Sequence, residues 1–228
     1  MGQLTATASI KAWFGRIAFF VSKGSDGTQP SHTSDFRTTT DDMKSGEYIF
    51  PNGDIITGDF VDGKRTGQGR YIFSNGHVYL GNFIDGKRTG KGTYRFSDDE
   101  NYQGDFVDGK RTGKGKYTFI NGHMYQGDWL NDSRTGKGKS IYPNGDMYQG
   151  DFIAGERTGQ GKYIYANKES YQGDWVEGIR SGKGESTYSS GAIYHGDFVD
   201  GKRMGEGKYT FVNGHVYQGT FLNNNFMS

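Results

Sequence analysis

Apolar and polar residues alternate along most of this chain with the period of two that a half-buried strand requires. In Tyr102-Gln103-Gly104-Asp105-Phe106 the tyrosine, glycine and phenylalanine share one face, and Gln103 and Asp105 take the other. The same five-position pattern returns at Tyr79-Leu80-Gly81-Asn82-Phe83 and Tyr125-Gln126-Gly127-Asp128-Trp129, and continues to Tyr217-Gln218-Gly219-Thr220-Phe221. Its glycines, Gly58, Gly81, Gly104, Gly127, Gly150, Gly173, Gly196 and Gly219, stand 23 residues apart. A fixed period of this length marks a repeat architecture in which each unit buries its apolar face against its neighbours. Seven full units run over 56–216, with a half unit at each end, so that the array occupies 46–228.

Within one unit the pattern predicts a strand from Tyr102 to Phe106, a charged glycine-rich turn from Asp108 to Gly113, and a second strand from Gly115 to Phe119. Asn121-Gly122 then turns the chain back; Asn-Gly between alternating strands is a strong hairpin signal, and it recurs at Asn52-Gly53, Asn75-Gly76, Asn144-Gly145 and Asn213-Gly214. The expected fold is therefore all-β: an elongated, single-layer antiparallel meander. Gly113, Gly115, Tyr117 and Phe119 have the parity of the ring face, and Lys116 and Thr118 that of the wet face. At about 4.8 Å between strands the array should extend roughly 70 Å. Its stability should come from stacking of nearest neighbours, with caps needed at both ends.

These residues resemble the MORN (membrane occupation and recognition nexus) repeat. That family's pattern of Tyr-x-Gly-x-Trp, a Gly-Lys-Arg-x-Gly turn, Gly-x-Gly and an Asn/Asp-Gly turn is matched from Tyr102 to Gly122, and the match covers roughly residues 46 to 222. Thr replaces the His that often follows Arg, and Phe usually replaces Trp, which is kept at Trp129 and Trp175. The resemblance implies a single-layer sheet and a role as an organiser of cytoskeletal, ciliary or membrane-contact assemblies, while the absence of cysteine favours a reducing compartment and so the cytoplasm.

Residues 1–25 read differently. Ile10, Trp13, Phe14, Ile17, Phe20 and Val21 recur at helical spacing, with Lys11, Arg16 and Lys23 mostly on the other side, which predicts a short amphipathic helix. No acid precedes Asp26, a composition that also fits a mitochondrial transit peptide or an interfacial membrane helix. The same helix could instead cap the array. Residues 26–45 form a Ser/Thr/Gly/Asp-rich linker or a degenerate first strand.

Composition fits a thin sheet: hydrophobic residues supply only 32%, aromatics 15%, and there are 39 glycines in 228 residues. With 27 basic against 26 acidic residues the net charge is +1, which argues against a nucleic-acid partner. The absence of cysteine removes thiolate chemistry and Cys-ligated zinc. Gly86-Lys87-Arg88-Thr89-Gly90-Lys91-Gly92 suggests a phosphate loop, but its spacing is wrong and it leads into a strand instead of a helix. His77 and His123 are two repeats apart, about 19 Å, too far to share a metal with bonds of about 2 Å. The aspartates Asp105, Asp128, Asp151, Asp174 and Asp197 are copies of one environment, whereas acid–base catalysis needs two. No enzyme and no cofactor are expected.

Two candidate surfaces remain. One is the ring face, with Tyr79, Tyr102, Tyr125, Tyr148, Tyr171 and Tyr194 in one column and Phe83, Phe106, Trp129, Phe152, Trp175 and Phe198 in the next. These rings either form the sheet's own core or line an aromatic groove for a peptide, a helix or a second copy. The other is an edge of basic turns, Lys64, Arg65, Lys87, Arg88, Lys110, Arg111, Lys202 and Arg203, which with Trp13 and Arg16 could meet an anionic membrane. Acids such as Asp85 and Asp108 just before those turns neutralise much of that charge.

Overall fold

The computed structural model describes residues 45–227, and all of the regular structure there is strand. A short β1 (Ser45–Ile49) opens the sheet and a two-residue β17 (Asn225–Phe226) closes it. Between them each repeat contributes a seven-residue and a nine-residue strand. The shorter ones are β2 (Ile55–Val61), β4 (Val78–Ile84), β6 (Asn101–Val107), β8 (Met124–Leu130), β10 (Met147–Ile153), β12 (Ser170–Val176), β14 (Ile193–Val199) and β16 (Val216–Leu222). The longer ones are β3 (Lys64–Ile72), β5 (Lys87–Arg95), β7 (Lys110–Thr118), β9 (Ser133–Ile141), β11 (Glu156–Ile164), β13 (Ile179–Thr187) and β15 (Lys202–Thr210). All 17 strands form one sheet, and each pairs antiparallel with its neighbours in sequence. The expected helix over residues 1–25 and the linker over 26–44 lie outside the described residues.

The turns differ from the expectation. Asp108–Gly109 alone joins β6 to β7, both with left-handed backbone (φ 49° and 82°), so this is a two-residue turn of the primed kind whose twist suits a hairpin. Lys110, Arg111, Thr112 and Gly113, placed in the turn by sequence, are strand residues. The Asn-Gly pair closes a wider loop: Gly122 N donates to Phe119 O, Phe119 N donates to His123 O, and Asn121 Oδ1 accepts from His123 N. Only Gly122 has positive φ there, because the asparagine side chain substitutes for a backbone acceptor and leaves Asn121 in ordinary geometry.

Register makes glycine face glycine. Gly104 pairs with Gly115 and Gly115 with Gly127, between Tyr102–Tyr117 and Tyr117–Tyr125 pairs. The Tyr102 ring lies flat over that glycine pair. A Cβ on Gly115 would come within 2.3 Å of the Tyr102 hydroxyl, and one on Gly104 within 2.4 Å, so any other residue would displace the ring. Just beyond, Thr112, Gly113 and Lys114 of β7 stand opposite the single Asp105 of β6, a bulge that recurs in the other repeats. Gly113 takes φ 89° inside it, and the Tyr102 hydroxyl donates to the Asp105 carbonyl at 3.0 Å.

Gly115→Ala should therefore cost about 1–3 kcal/mol, the range for overpacking a filled site. Urea unfolding followed by tryptophan fluorescence checks this, and a midpoint equal to that of the unsubstituted protein would show that the ring does not need the bare glycine.

Candidate functional site

The two inner columns of the ring face are closed. Tyr79, Tyr102, Tyr125, Tyr148, Tyr171 and Tyr194 are 0% exposed, and Phe83, Phe106, Trp129, Phe152, Trp175 and Phe198 are 2–4% exposed. Each tyrosine meets the aromatic ring of its own strand and that of the next repeat edge-on: Tyr102 to Phe106 at 5.1 Å and 87°, and Tyr102 to Trp129 at 5.3 Å and 82°. The zigzag continues through Tyr125 and Phe152 to Phe221. Edge-to-face pairs at such separations are favourable beyond their buried area. Burial pushes the Tyr125 and Tyr171 phenols up to about 12, so they stay neutral donors. Further out lies a half-buried row that includes Tyr94, Phe96, Phe119, Tyr142 and Tyr163.

The arginines of the supposed basic turns belong to this face. Arg111 stands opposite Phe106, one pair in from the Val107–Lys110 pair at the turn, and its guanidinium lies 4.6 Å from the Trp129 ring and 5.2 Å from that of Tyr117. Its Nη2 donates to the Asp132 carbonyl and its Nε to the Asp132 carboxylate at 2.9 Å. Arg88, Arg134, Arg157 and Arg180 repeat the arrangement, each with Nη2 on the carbonyl of the turn glycine 21 residues on, at 2.6–2.7 Å. At the two ends of the array Arg65 Nη2 donates to the Gly86 carbonyl at 3.3 Å and Arg203 Nη2 to the Asn224 carbonyl, again with rings beneath them. These charges point over rings and carbonyls. Lys64, Lys87, Lys110 and Lys202 remain exposed at the edge, Lys87 paired with Asp108 at 3.3 Å. Trp13 and Arg16 lie outside the described residues.

The opposite face is open. It forms a groove of about 1500 Å³ that crosses the sheet from Gln68 to Gln172. Its floor is a line of facing side chains, Gln103–Lys116–Gln126–Lys139–Gln149–Lys162–Gln172, set by strand register. Beside it runs a line of ion pairs, Lys91–Asp105, Lys114–Asp128 and Lys137–Asp151 at 2.5–2.6 Å. The second oxygen of each aspartate holds the bulge by accepting a backbone N–H, from Lys114, Lys137 and Gln160 respectively, at 2.9–3.0 Å. On the other flank of the floor stand Met124, Ile141, Met147 and Ile164. One aliphatic residue per repeat, from Val61 to Leu222, precedes each two-residue turn on this face and is 46–66% exposed.

Among the described residues no group of three or more His, Cys, Asp or Glu could hold a metal ion, and no helix is long and apolar enough to cross a membrane. His123 is stacked between Phe119 and Tyr142 at 4.7 and 4.8 Å, and His77 Nδ1 meets the Tyr94 hydroxyl at 3.1 Å. Sequence reading missed the arginine column, although Arg111 has the parity of Gly115 and Tyr117. It also missed the aspartate clamps and the groove, because a bulge breaks the two-residue period and a groove is lined by several repeats at once.

Arg111→Ala should lower stability by about 1–3 kcal/mol, through the lost ring contact and charge-assisted bonds, and Arg111→Lys should recover less than half of that in the same urea titration. Full recovery with lysine would mean that charge alone matters. The hydrogen bond from Lys114 holds the Asp128 carboxyl below its ordinary 3.8, against the opposing effect of burial. A carboxyl with a lowered folded pKa stabilises above its unfolded value and stops doing so as pH falls through the folded one. The thermal midpoints of the native protein and Asp128→Asn should thus differ at pH 6 and converge by about pH 2; a constant gap would contradict the clamp.

The MORN repeat model matches seven consecutive stretches, at 57–78, 79–100, 102–124, 125–147, 148–170, 171–193 and 194–216. No curated protein matches the chain. Among solved structures it is similar to the TCP domain of SAS-4 (dCPAP) of Drosophila melanogaster in complex with a proline-rich motif of Ana2 (dSTIL), with 13% identity, 87% of this chain and 99% of that chain covered and a TM-score of 0.45. It is also similar to the TCP10 domain of Danio rerio CPAP in complex with a peptide of STIL, with 14% identity, coverage of 77% and 93%, and a TM-score of 0.35. With a two-strand unit that repeats across one continuous sheet, and a family model that matches most of its length, the chain belongs to the MORN-repeat family.

Proposed function

We propose that this chain is a non-catalytic scaffold that holds a segment of a protein partner in the groove of its Gln/Lys face. One observation carries the reading: on one face of the open sheet the two inner ring columns are buried by their own packing, while the other face is a groove of about 1500 Å³. Surfaces that bind partners offer accessible apolar anchors among satisfied polar groups. Met124, Met147 and Ile164 beside a floor of Gln and Lys fit that description. The twelve rings first considered as direct contacts serve it from beneath, since their packing fixes the register that aligns the floor. In line with the family resemblance, the setting is proposed as cytoplasmic, at a cytoskeletal, ciliary or membrane-adjacent assembly. The alternative, a peripheral membrane module using the basic edge and the N-terminal segment, has less support, because the arginines of that edge lie over rings.

The test is a photo-crosslinking side chain placed separately at Gln126 in the groove, Phe96 on the ring face and Lys64 at the edge. The expected outcome is a protein adduct from position 126. Adducts from Phe96 alone would move the contact to the ring face, and lipid adducts from Lys64 alone would favour the membrane module.

A further inference from the structure

The groove is not uniform along its floor. Lys116, Lys139 and Lys162 are exposed and have no ion-pair partner among the described residues, whereas Lys91, Lys114 and Lys137 beside them are each neutralised by an aspartate. The free line is bounded. One repeat earlier its position is held by Thr93, and one repeat later by Glu185, which faces His195 at 2.8 Å. Three unpaired positive charges therefore lie in the middle of the groove, each flanked on both sides by glutamine amides that can donate to a carboxylate.

We infer that the groove selects an acidic, extended peptide segment whose carboxylates meet Lys116, Lys139 and Lys162 in turn. The inference rests on the groove reading above and names the chemistry of its occupant. Successive lysines lie two strands apart, about 9.6 Å, and a chain in the extended polyproline II conformation advances about 3.1 Å per residue with three residues per turn, so acids at every third residue share one side about 9.3 Å apart and match the line. The aliphatic flank of Met124, Ile141, Met147 and Ile164 lies within reach of the side chains between those acids. The chain's own N-terminal segment is the wrong occupant on charge, since Lys11, Arg16 and Lys23 come without an acid before Asp26. A bilayer is a poor occupant on shape, because a planar headgroup layer does not enter a groove to reach its floor. A nucleic-acid strand is disfavoured because a net charge of +1 gives no overall field to hold a continuous phosphate backbone.

The full chain is titrated into a fluorescein-labelled 16-residue peptide with Glu at every third position, and into its Gln counterpart, with anisotropy as the readout. The Glu peptide should bind at least about tenfold tighter than the Gln peptide and weaken as salt rises. The triple variant Lys116→Gln/Lys139→Gln/Lys162→Gln should lose about tenfold for the Glu peptide, and Lys64→Gln/Lys87→Gln/Lys110→Gln at the edge should lose nothing. Equal binding of both peptides, or equal loss in both triple variants, would overturn the inference. So would capture by phosphatidylserine vesicles that depends on the floor lysines while the Glu peptide fails to bind. In parallel, a random 16-residue display library is selected on the native chain and on Gln126→Trp, which fills the groove. Acidic peptides lost with Gln126→Trp support the inference. Peptides lost with it but showing no acidic enrichment overturn the inference and leave the groove reading standing, and no Gln126-dependent peptide at all overturns both.

Discussion

A tyrosine ring laid over two facing glycines is the contact on which the rest of this sheet depends. Tyr102 covers Gly104 and Gly115, its hydroxyl reaches the Asp105 carbonyl, and its edges meet Phe106 and Trp129. An open single-layer sheet has no second layer to bury its apolar face. Here the face buries itself, because glycines let each ring lie down on backbone instead of standing out from it. The cost of so many glycines in extended backbone is offset by rings that are fully desolvated. The arrangement also ties repeat to repeat, since every tyrosine touches one ring of its own unit and one of the next.

The arginine column completes that seal. Each guanidinium caps rings of its own and the following repeat and holds the next hairpin turn by its carbonyl, as Arg157 does with Trp175, Tyr163 and Gly178. A charge that might have served an anionic surface is thus spent within the fold. The aspartate column has the matching role on the other face, where Asp128 clamps a bulge through one oxygen and an ion pair with Lys114 through the other. What these contacts leave unused is the line of Gln and Lys between them. Binding capacity is proposed there because it is where the fold's own requirements end.

Much of this was legible in the sequence. The Tyr-x-Gly-x-Phe alternation and the 23-residue period give the strands, their order and the membership of each face, because period two and strict repetition are local properties. Turn chemistry is less legible. Asn121-Gly122 looked like the tight turn and Asp108-Gly109 the start of a long one; the reverse holds, because both Asp108 and Gly109 adopt left-handed backbone while Asn121 does not. Shortening that turn drew Lys110 and Arg111 onto a strand and so turned Arg111 toward Trp129. Burial of the ring columns was left open by sequence, since alternation says which face a ring takes and not whether its neighbours cover it. The groove is lined by residues of several successive repeats, from Gln68 to Gln172, which no single repeat encodes.

The central claim is that the inner ring columns of one face are closed and the other face is open, and paired chemical labelling of the free chain tests it directly. Lysine acetylation and tyrosine nitration are read residue by residue under native conditions and again in denaturant. The account predicts rapid acetylation of Lys116, Lys139 and Lys162 together with native resistance of Tyr102, Tyr125, Tyr148 and Tyr171 to nitration. Native nitration of that tyrosine column at the rate seen in denaturant, with the three lysines protected, would contradict it.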